Sequence, residues 1–378
     1  MATGRSDQYL KNERLVNKYR PLLVLYPEIE DGSRRRDHHH RGHGPGSLPP
    51  LDQDYHPRDI RLVLDNACLP GMKERPSREQ VLEAMSENRV NYIDLIDDRG
   101  PKHVDKFWRV YAEIKNKDNN PEYQRKAYAH VVRGTGRFKG YICIQYWLAY
   151  FFDDWANVHE MDWEGVSVIL KKTGSTEEPI ACVFNAHIGA FRQSWKYVHK
   201  VNDEGNKNPQ GLHPVAYIAN GSHASYFSDY PPDLNVAEPF LRPILRMVVR
   251  VVSIGKDFTD YVPKFEAGVR HFPDIDVIPE PDESGRWSGN WRWLNFKGGW
   301  GSPVELSLME RFIVRIPVFN IIFKVFRRPI REAGIVGPTA RPGLCWGKPF
   351  DWINLECCNA PKTYNWIGEI GGASMNEL

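Results

Sequence analysis

The densest polar cluster in the chain is DDWANVHEMDWE, residues 153–164, which gathers Asp153, Asp154, His159, Glu160, Asp162 and Glu164. Carboxylates and an imidazole at this density suit a divalent cation, since hard ions take oxygen donors and the ring adds a nitrogen. The strand period sharpens the reading. Side chains alternate along a strand, so Asp162 and Glu164 share one face, which Val166, Val168 and Leu170 continue. If those aliphatics face a core, the carboxylates face it too. Two adjacent buried carboxylates repel each other and lose hydration, and a cation, an Arg or Lys, or protonation must compensate. His159 is expected in a turn three residues before the strand, and Asp153 and Asp154 end the preceding apolar run. The expected ligands are Asp154, His159, Asp162 and Glu164, with Asp153, His187 and His223 as secondary candidates. One imidazole with two or three carboxylates admits Mg, Ca, Mn or Zn, and Mg or Ca is favoured over Zn or Mn.

Such an ion can bind a ligand, activate water or staple strand ends. For hydrolysis, Glu160 or His187 is the candidate base and Arg192 the candidate anion holder. The string HEMDWE is not HExxH, and no GxSxG, GxGxxG or P-loop is present. Ser222 beside His223 in NGSHAS is an adjacency in sequence, which does not make a catalytic triad.

The elements that must position these residues read as strands. GYICIQYWLAYFF (140–152) is apolar almost throughout, and DWEGVSVIL (162–170) alternates. PIACVFNAH (179–187) and HPVAYIANGSHASYF (213–227) follow, with turns at KKTGST and NDEGNKNPQG, a spacing that predicts antiparallel β-structure. Upstream, KYRPLLVLY (18–26) has strand length, and residues 55–69 read as a turn and a short helix. Residues 76–89 predict a helix opened by Ser77 and Gln80 as a capping box. Residues 31–50, with three consecutive arginines and His38, His39, His40 and His43, cannot pack and read as a solvated loop. Two segments, about 237–256 and 305–328, are apolar and basic. The first sets Arg242, Arg246 and Arg250 on one helical stripe, and Pro317 should kink the second. Such helices can lie at a membrane interface or pack in a core with their Arg heads snorkelling.

Composition bounds the rest. The 378 residues, 41% hydrophobic and 26% charged, are enough for one large or two ordinary packed domains. With 17 Tyr, 17 Phe and 12 Trp among 28 Pro and 30 Gly, many short strands joined by turns are favoured over a helical bundle. A formal charge of +2 gives no bulk attraction to nucleic acid, so no nucleic-acid partner is expected. The opening residues lack a signal-peptide run, and no apolar stretch reaches the length of a transmembrane helix. A cytoplasmic protein is expected, with reduced cysteines and a peripheral membrane association through the basic helices. Oligomeric state is not readable.

The strings YWLAYFFDDW, HEMDWEGVSVIL, NAHIGAFRQSW, HPVAYIANGSHASYF, FKGGWG and GPTARPG, in this order, resemble the vacuolar protein sorting-associated protein 62-like family. YRPLLVLYPEIE and YHPRDIRLVL look like that family's opening segments, and the match extends with gaps over about 18–355. In that family's pattern a Gly stands where this chain has Met161. HEMDWE is also similar, more distantly, to the GHRHDWE heptapeptide of necrosis- and ethylene-inducing-like proteins, with Val158 and Met161 in place of its first Gly and second His. That likeness implies an antiparallel β-sandwich (actinoporin- or lectin-like) with peripheral helices. It also implies a cation on His159, Asp162, Glu164 and Asp153 or Asp154, beside a surface for lipid or glycan head groups. The resulting division is an N-terminal extension over 1–90 packing on the core, and a sandwich domain over 91–378 with helical insertions at about 237–256 and 305–328.

Overall fold

Helix α1 (Asp7–Lys18) opens the chain; Ser6 caps it by accepting from the Tyr9 N–H. The sequence pattern does not announce this helix, because only Tyr9, Leu15 and Val16 meet the core, Leu10 is exposed and the rest is polar. Strand β1 (Leu22–Leu25) follows, wholly buried. The computed structural model describes residues 6–28, 55–95, 107, 110–111, 123–153, 159–186, 189–229, 262–302, 335–340 and 346–350, and the backbone of 365–370 and 373–374. The His/Arg-rich insert and both basic apolar segments lie outside these residues, as do Asp154 and His187.

Past the insert come α2 (Arg61–Leu64) and α3 (Arg78–Ser86). The Ser77–Gln80 capping box closes in both directions: Ser77 N–H donates to Gln80 Oε1 at 2.8 Å, and Gln80 N–H donates to Ser77 Oγ at 3.4 Å. At the other end Asn88 adopts φ 52°, and the Asn88 and Arg89 N–H groups donate to the carbonyls of Met85 and Ala84, a Schellman ending.

The strands are β2 (Tyr92–Ile93), β3 (Lys126–Arg133), β4 (Tyr141–Asp153), β5 (His159–Thr173), β6 (Thr176–Ala186), β7 (Gly189–Ser194), β8 (Lys200–Val201), β9 (His213–Ile218), β10 (Ser225–Tyr226), β11 (Val269–His271), β12 (Asp274–Val277), β13 (Gly299–Trp300), β14 (Asn365–Ile370) and β15 (Ala373–Ser374). Eight form a sheet in the order β12-β3-β4-β5-β6-β7-β14-β15. A second sheet runs β10-β9-β1-β11, with β8 also on β9, and β13 pairs β2 separately. The chain is mainly β. From β3 through β14 every pairing is antiparallel, but β12 joins β3, β1 joins β9 and β13 joins β2 in parallel. The expected antiparallel pairing is met from β4 through β7, and it is not met at these three parallel pairs. Each parallel pair is joined through long stretches of intervening chain, and no hairpin constrains its direction.

One core lies between the two sheets. It takes Ile142, Ile144, Tyr146, Leu148 and Tyr150 of β4, Val166, Val168 and Leu170 of β5, and Leu22–Leu25 of β1 with Val215–Ile218 of β9. The opposite face of β4 and β5 packs Trp147, Phe151 and Trp163 against α2, α3 and an aromatic group including Trp293 and Trp300. Trp163 stacks on Trp293 at 5.4 Å between ring centres. Cys143 and Cys182 are buried and Cys68 is half-buried. Among the described residues no helix is long and apolar enough to cross a membrane.

Candidate metal centre

The long hairpin of β4 and β5 builds the site. Register sets Leu148 opposite Glu164, Tyr150 opposite Asp162, Phe152 opposite Glu160 and Asp153 opposite His159. Asp162 and Glu164 therefore continue the row of Val166, Val168 and Leu170 into the inter-sheet core, and they are only 4% and 2% exposed. His159 is not in a preceding turn, as the sequence suggests, but begins β5 itself. Met161 hides this extension: its φ of 55° interrupts the ladder between two paired positions. An L-residue in that region costs about 1–2 kcal/mol.

The break also redirects the neighbouring side chains. Asp162 points towards the second sheet and meets His223, while Glu160 meets the backbone of residues 95 and 302 beside β2 and β13. Glu160 Oε2 accepts from Leu95 N–H at 3.0 Å and Ser302 N–H at 2.9 Å, with Asp94 alongside. Burial, and after it the Asp94 carboxylate, push the Glu160 carboxyl up to about 8. Glu160 thus ties two segments to β5.

His223 arrives from the β9–β10 turn, 61 positions from Asp162. Ala219 N–H donates to the Ala224 carbonyl and His223 N–H to the Ala219 carbonyl, and this tight turn holds His223 at φ 55°. Its ring lies flat on Tyr150, 3.9 Å between centres and 8° between planes, with Tyr55 edge-on at 6.5 Å. Tyr55 rests 4.9 Å from Tyr111, whose hydroxyl donates to Glu28; Arg58 grips the same carboxylate at 2.6 and 2.7 Å. Residues on both sides of the N-terminal insert thereby form the wall behind the imidazole.

Asp153, Asp162 and His223 each offer a donor atom within 4.8 Å of the others, and all three are buried. His159 joins through Asp153: its Nε2 stands 3.6 Å from Asp153 Oδ2, and its Nδ1 faces the Met161 carbonyl at 2.7 Å. Glu164 lies two residues along the same face, roughly 7 Å further by strand rise. The structure thus brings Asp153, His159, Asp162 and His223 together. Arg192 is buried on β7 opposite Val183, hence on the face of Ser167 and Gln145, across the sheet from Asp162. His213 and His199 serve elsewhere, His213 between the Arg20 carbonyl and Asp203, His199 against the Tyr217 hydroxyl. Two buried carboxylates and one imidazole with donor atoms this close suit a divalent ion, so the group of Asp153, Asp162 and His223 can hold one.

No family model matches the chain, and no curated protein matches it. Part of it resembles solved structures. One, described as a toxin fold for microbial attack and plant defense, shares 22% identity over 27% of this chain and 45% of that one, TM-score 0.21. NLPPya in complex with glucosamine shares 23% over 27% and 45%, TM-score 0.20. The non-toxic HaNLP3 protein shares 15% over 28% and 46%, TM-score 0.21. Its weak structural neighbours are necrosis- and ethylene-inducing-like proteins. The chain spans less than half the length of each, and at these TM-scores the overlap is local.

Proposed function

We propose that this chain is a divalent-cation-dependent binding module of the vacuolar protein sorting 62-like type on an actinoporin- or lectin-like sandwich. The observation that carries the reading is the buried group of Asp153, Asp162 and His223 between the two sheets. Two buried carboxylates and an imidazole with donor atoms within 4.8 Å of one another offer a divalent ion two oxygens and a nitrogen. Asp153, Asp162, His159 and His223 would hold it, with Glu164 as a further oxygen donor. When bound, the ion supplies a Lewis-acidic point for oxygen-rich ligands, as in the head group of an anionic lipid or a glycan. The chain's own residues fix the geometry: Tyr150 and Tyr55 lock the His223 ring, and Glu160 clamps the strand that bears Asp162. Such a module would work in the cytoplasm at a membrane periphery, with residues 1–90 as an extension packing on a sandwich of 91–378.

Vesicle flotation with phosphatidylserine, and a glycan array, each run with and without chelator, test the reading. Binding should depend on the ion and fall in Asp162→Asn. Retention on either surface regardless of chelator and of this substitution would overturn it. A loss of stability on chelation with no ligand bound by either form would reduce the ion to a staple between strands.

A further inference from the structure

We infer that Arg20, Arg125 and His271 form a binding site for a phosphomonoester group. The inference goes beyond the cation reading and uses none of its residues. It comes from basic side chains that the fold gathers from three parts of the chain and leaves short of acceptors.

The gathering point is the crossover from β11 to β12, residues 271–274, where the chain leaves one sheet for the other. His271 ends β11, paired with Leu23 of β1. Phe272 follows, and the Arg20 guanidinium lies over its ring, 4.6 Å from the centre. Past the crossover the Asp274 N–H donates to the Arg125 carbonyl at 3.0 Å. The Arg20 carbonyl in turn accepts from His213 Nδ1 at 2.9 Å. All three basic residues thus stand on anchored backbone, which spares a ligand the cost of ordering them. Each is half-buried, so an anion can reach it from solvent.

Acceptors are scarce there. Arg125 has Glu28 Oε2 at 3.6 Å, too long for a hydrogen bond. Arg58 already grips that carboxylate at 2.6 and 2.7 Å, and the Tyr111 hydroxyl donates to it. Arg125 Nε is buried with no hydrogen-bond partner among the described residues. Among those residues the Arg20 guanidinium meets the Phe272 ring and no carboxylate. A buried donor without an acceptor is costly, and an anion would supply the acceptor. The charges converge on His271. Burial, and after it the Arg125 guanidinium, lower its ring to about 4; Asp274 opposes them, and Arg58 and Arg20 add to the fall. The ring is therefore neutral at pH 7 and offers one N–H.

Donor chemistry selects the ligand. A guanidinium fork matches two phosphate oxygens at once. A carboxylate is planar and carries one charge, whereas a phosphomonoester carries nearly two at pH 7 and presents three oxygens in different directions. Two guanidiniums and an imidazole N–H, reaching in from three segments, suit the tetrahedral dianion. Of the carboxylates nearby, Glu28 is offset by Arg58, and Asp274 is outnumbered by Arg20 and Arg125.

The test uses the full chain, stripped with chelator and moved to metal-free buffer, so that no ion holds the anion. Inorganic phosphate is titrated calorimetrically at pH 7. Flotation is run on phosphatidylcholine vesicles with and without a phosphatidylinositol monophosphate. Phosphate should bind, be displaced by sulfate and not by acetate, and weaken by about 10–100-fold in Arg125→Gln and in Arg20→Gln. Arg75→Gln, at an exposed position ahead of α3, should bind as the wild type does. Should Arg125→Gln fail to fold, Arg20→Gln carries the test, since its guanidinium touches only a ring. Flotation with the monophosphate vesicles alone, lost in the same variants, would make the source a lipid head group. Phosphate binding without flotation would make it a soluble phosphomonoester. Binding indifferent to both arginine substitutions, acetate binding as tightly as phosphate, or no response to phosphate or to the vesicles would overturn the inference and leave the cation reading untouched.

Discussion

His223 Nδ1 lies 3.3 Å from Asp162 Oδ2, joining the β9–β10 turn of one sheet to the inner face of β5 in the other. This contact ties the two sheets at one end of their shared core, and the Asp153–His159 pair beside it joins β4 to β5 within one sheet. An ion held among these residues would act as a cross-link present only in the folded state.

Ion removal should therefore lower stability. A ligand that binds only the native state at about 100 times its dissociation constant adds about 2.7 kcal/mol. Thermal melts of the wild type should drop on adding chelator, while Asp162→Asn, already lower, should be insensitive. Equal sensitivity in both proteins would locate the stabilising ion elsewhere.

Gly301 should tolerate no side chain. Its φ is +136°, and a Cβ there would sit 2.7 Å from Glu160 Cβ and 2.8 Å from the Glu160 carbonyl oxygen. Gly301→Ala combines backbone strain with overpacking, an expected loss of roughly 2–4 kcal/mol in urea unfolding. An unchanged midpoint would mean that residues 301–302 do not seat tightly on β5.

Acid should destabilise the fold through two neutral histidines, half-buried His130 and buried His56. Burial lowers the His130 ring to about 4, although Gln145 Oε1 at 3.0 Å pulls the other way; burial likewise lowers His56 to about 3. The unfolded chain, with histidines near 6.5, binds more protons below that value. The contribution is full above about pH 6.5 and fades as pH falls towards 4, on the order of 3 kcal/mol for His130. Unfolding midpoints from pH 7.5 to 4.5 should trace this loss, and His130→Gln should flatten it; an unaltered slope in the variant would remove His130 as its source.

The capping box offers a local control. Ser77→Ala removes the oxygen that accepts the Gln80 N–H and should cost about 1 kcal/mol without touching metal content. A change in bound ion in this variant would mean that α3 and the metal centre are coupled.

The sequence made the β4–β5 hairpin legible because its apolar runs are long and its period is two. Asp162 and Glu164 fell on the inner face by the same rule. The capping box was legible because it is a local pattern of two residues, Ser77 and Gln80. Two features resisted reading. His223 reaches Asp162 only through the approach of a second sheet, which no local spacing encodes. Met161 carries a glycine-like backbone on a methionine, so the strand looked as though it began later than it does. A Gly at that position, as in the resembled family's pattern, would have marked the bend openly.

The placement of β1 bears on how the chain assembles. Leu22–Val24 pair on one side with Val215–Tyr217 and Leu23–Leu25 on the other with Val269–His271. β1 at Leu22–Leu25 thus pairs only with strands far from it in sequence, β9 at His213–Ile218 and β11 at Val269–His271. Contacts of such sequence separation slow folding. The apolar segment LLVL therefore gains its native pairings on both edges only when strands far downstream in the chain reach it.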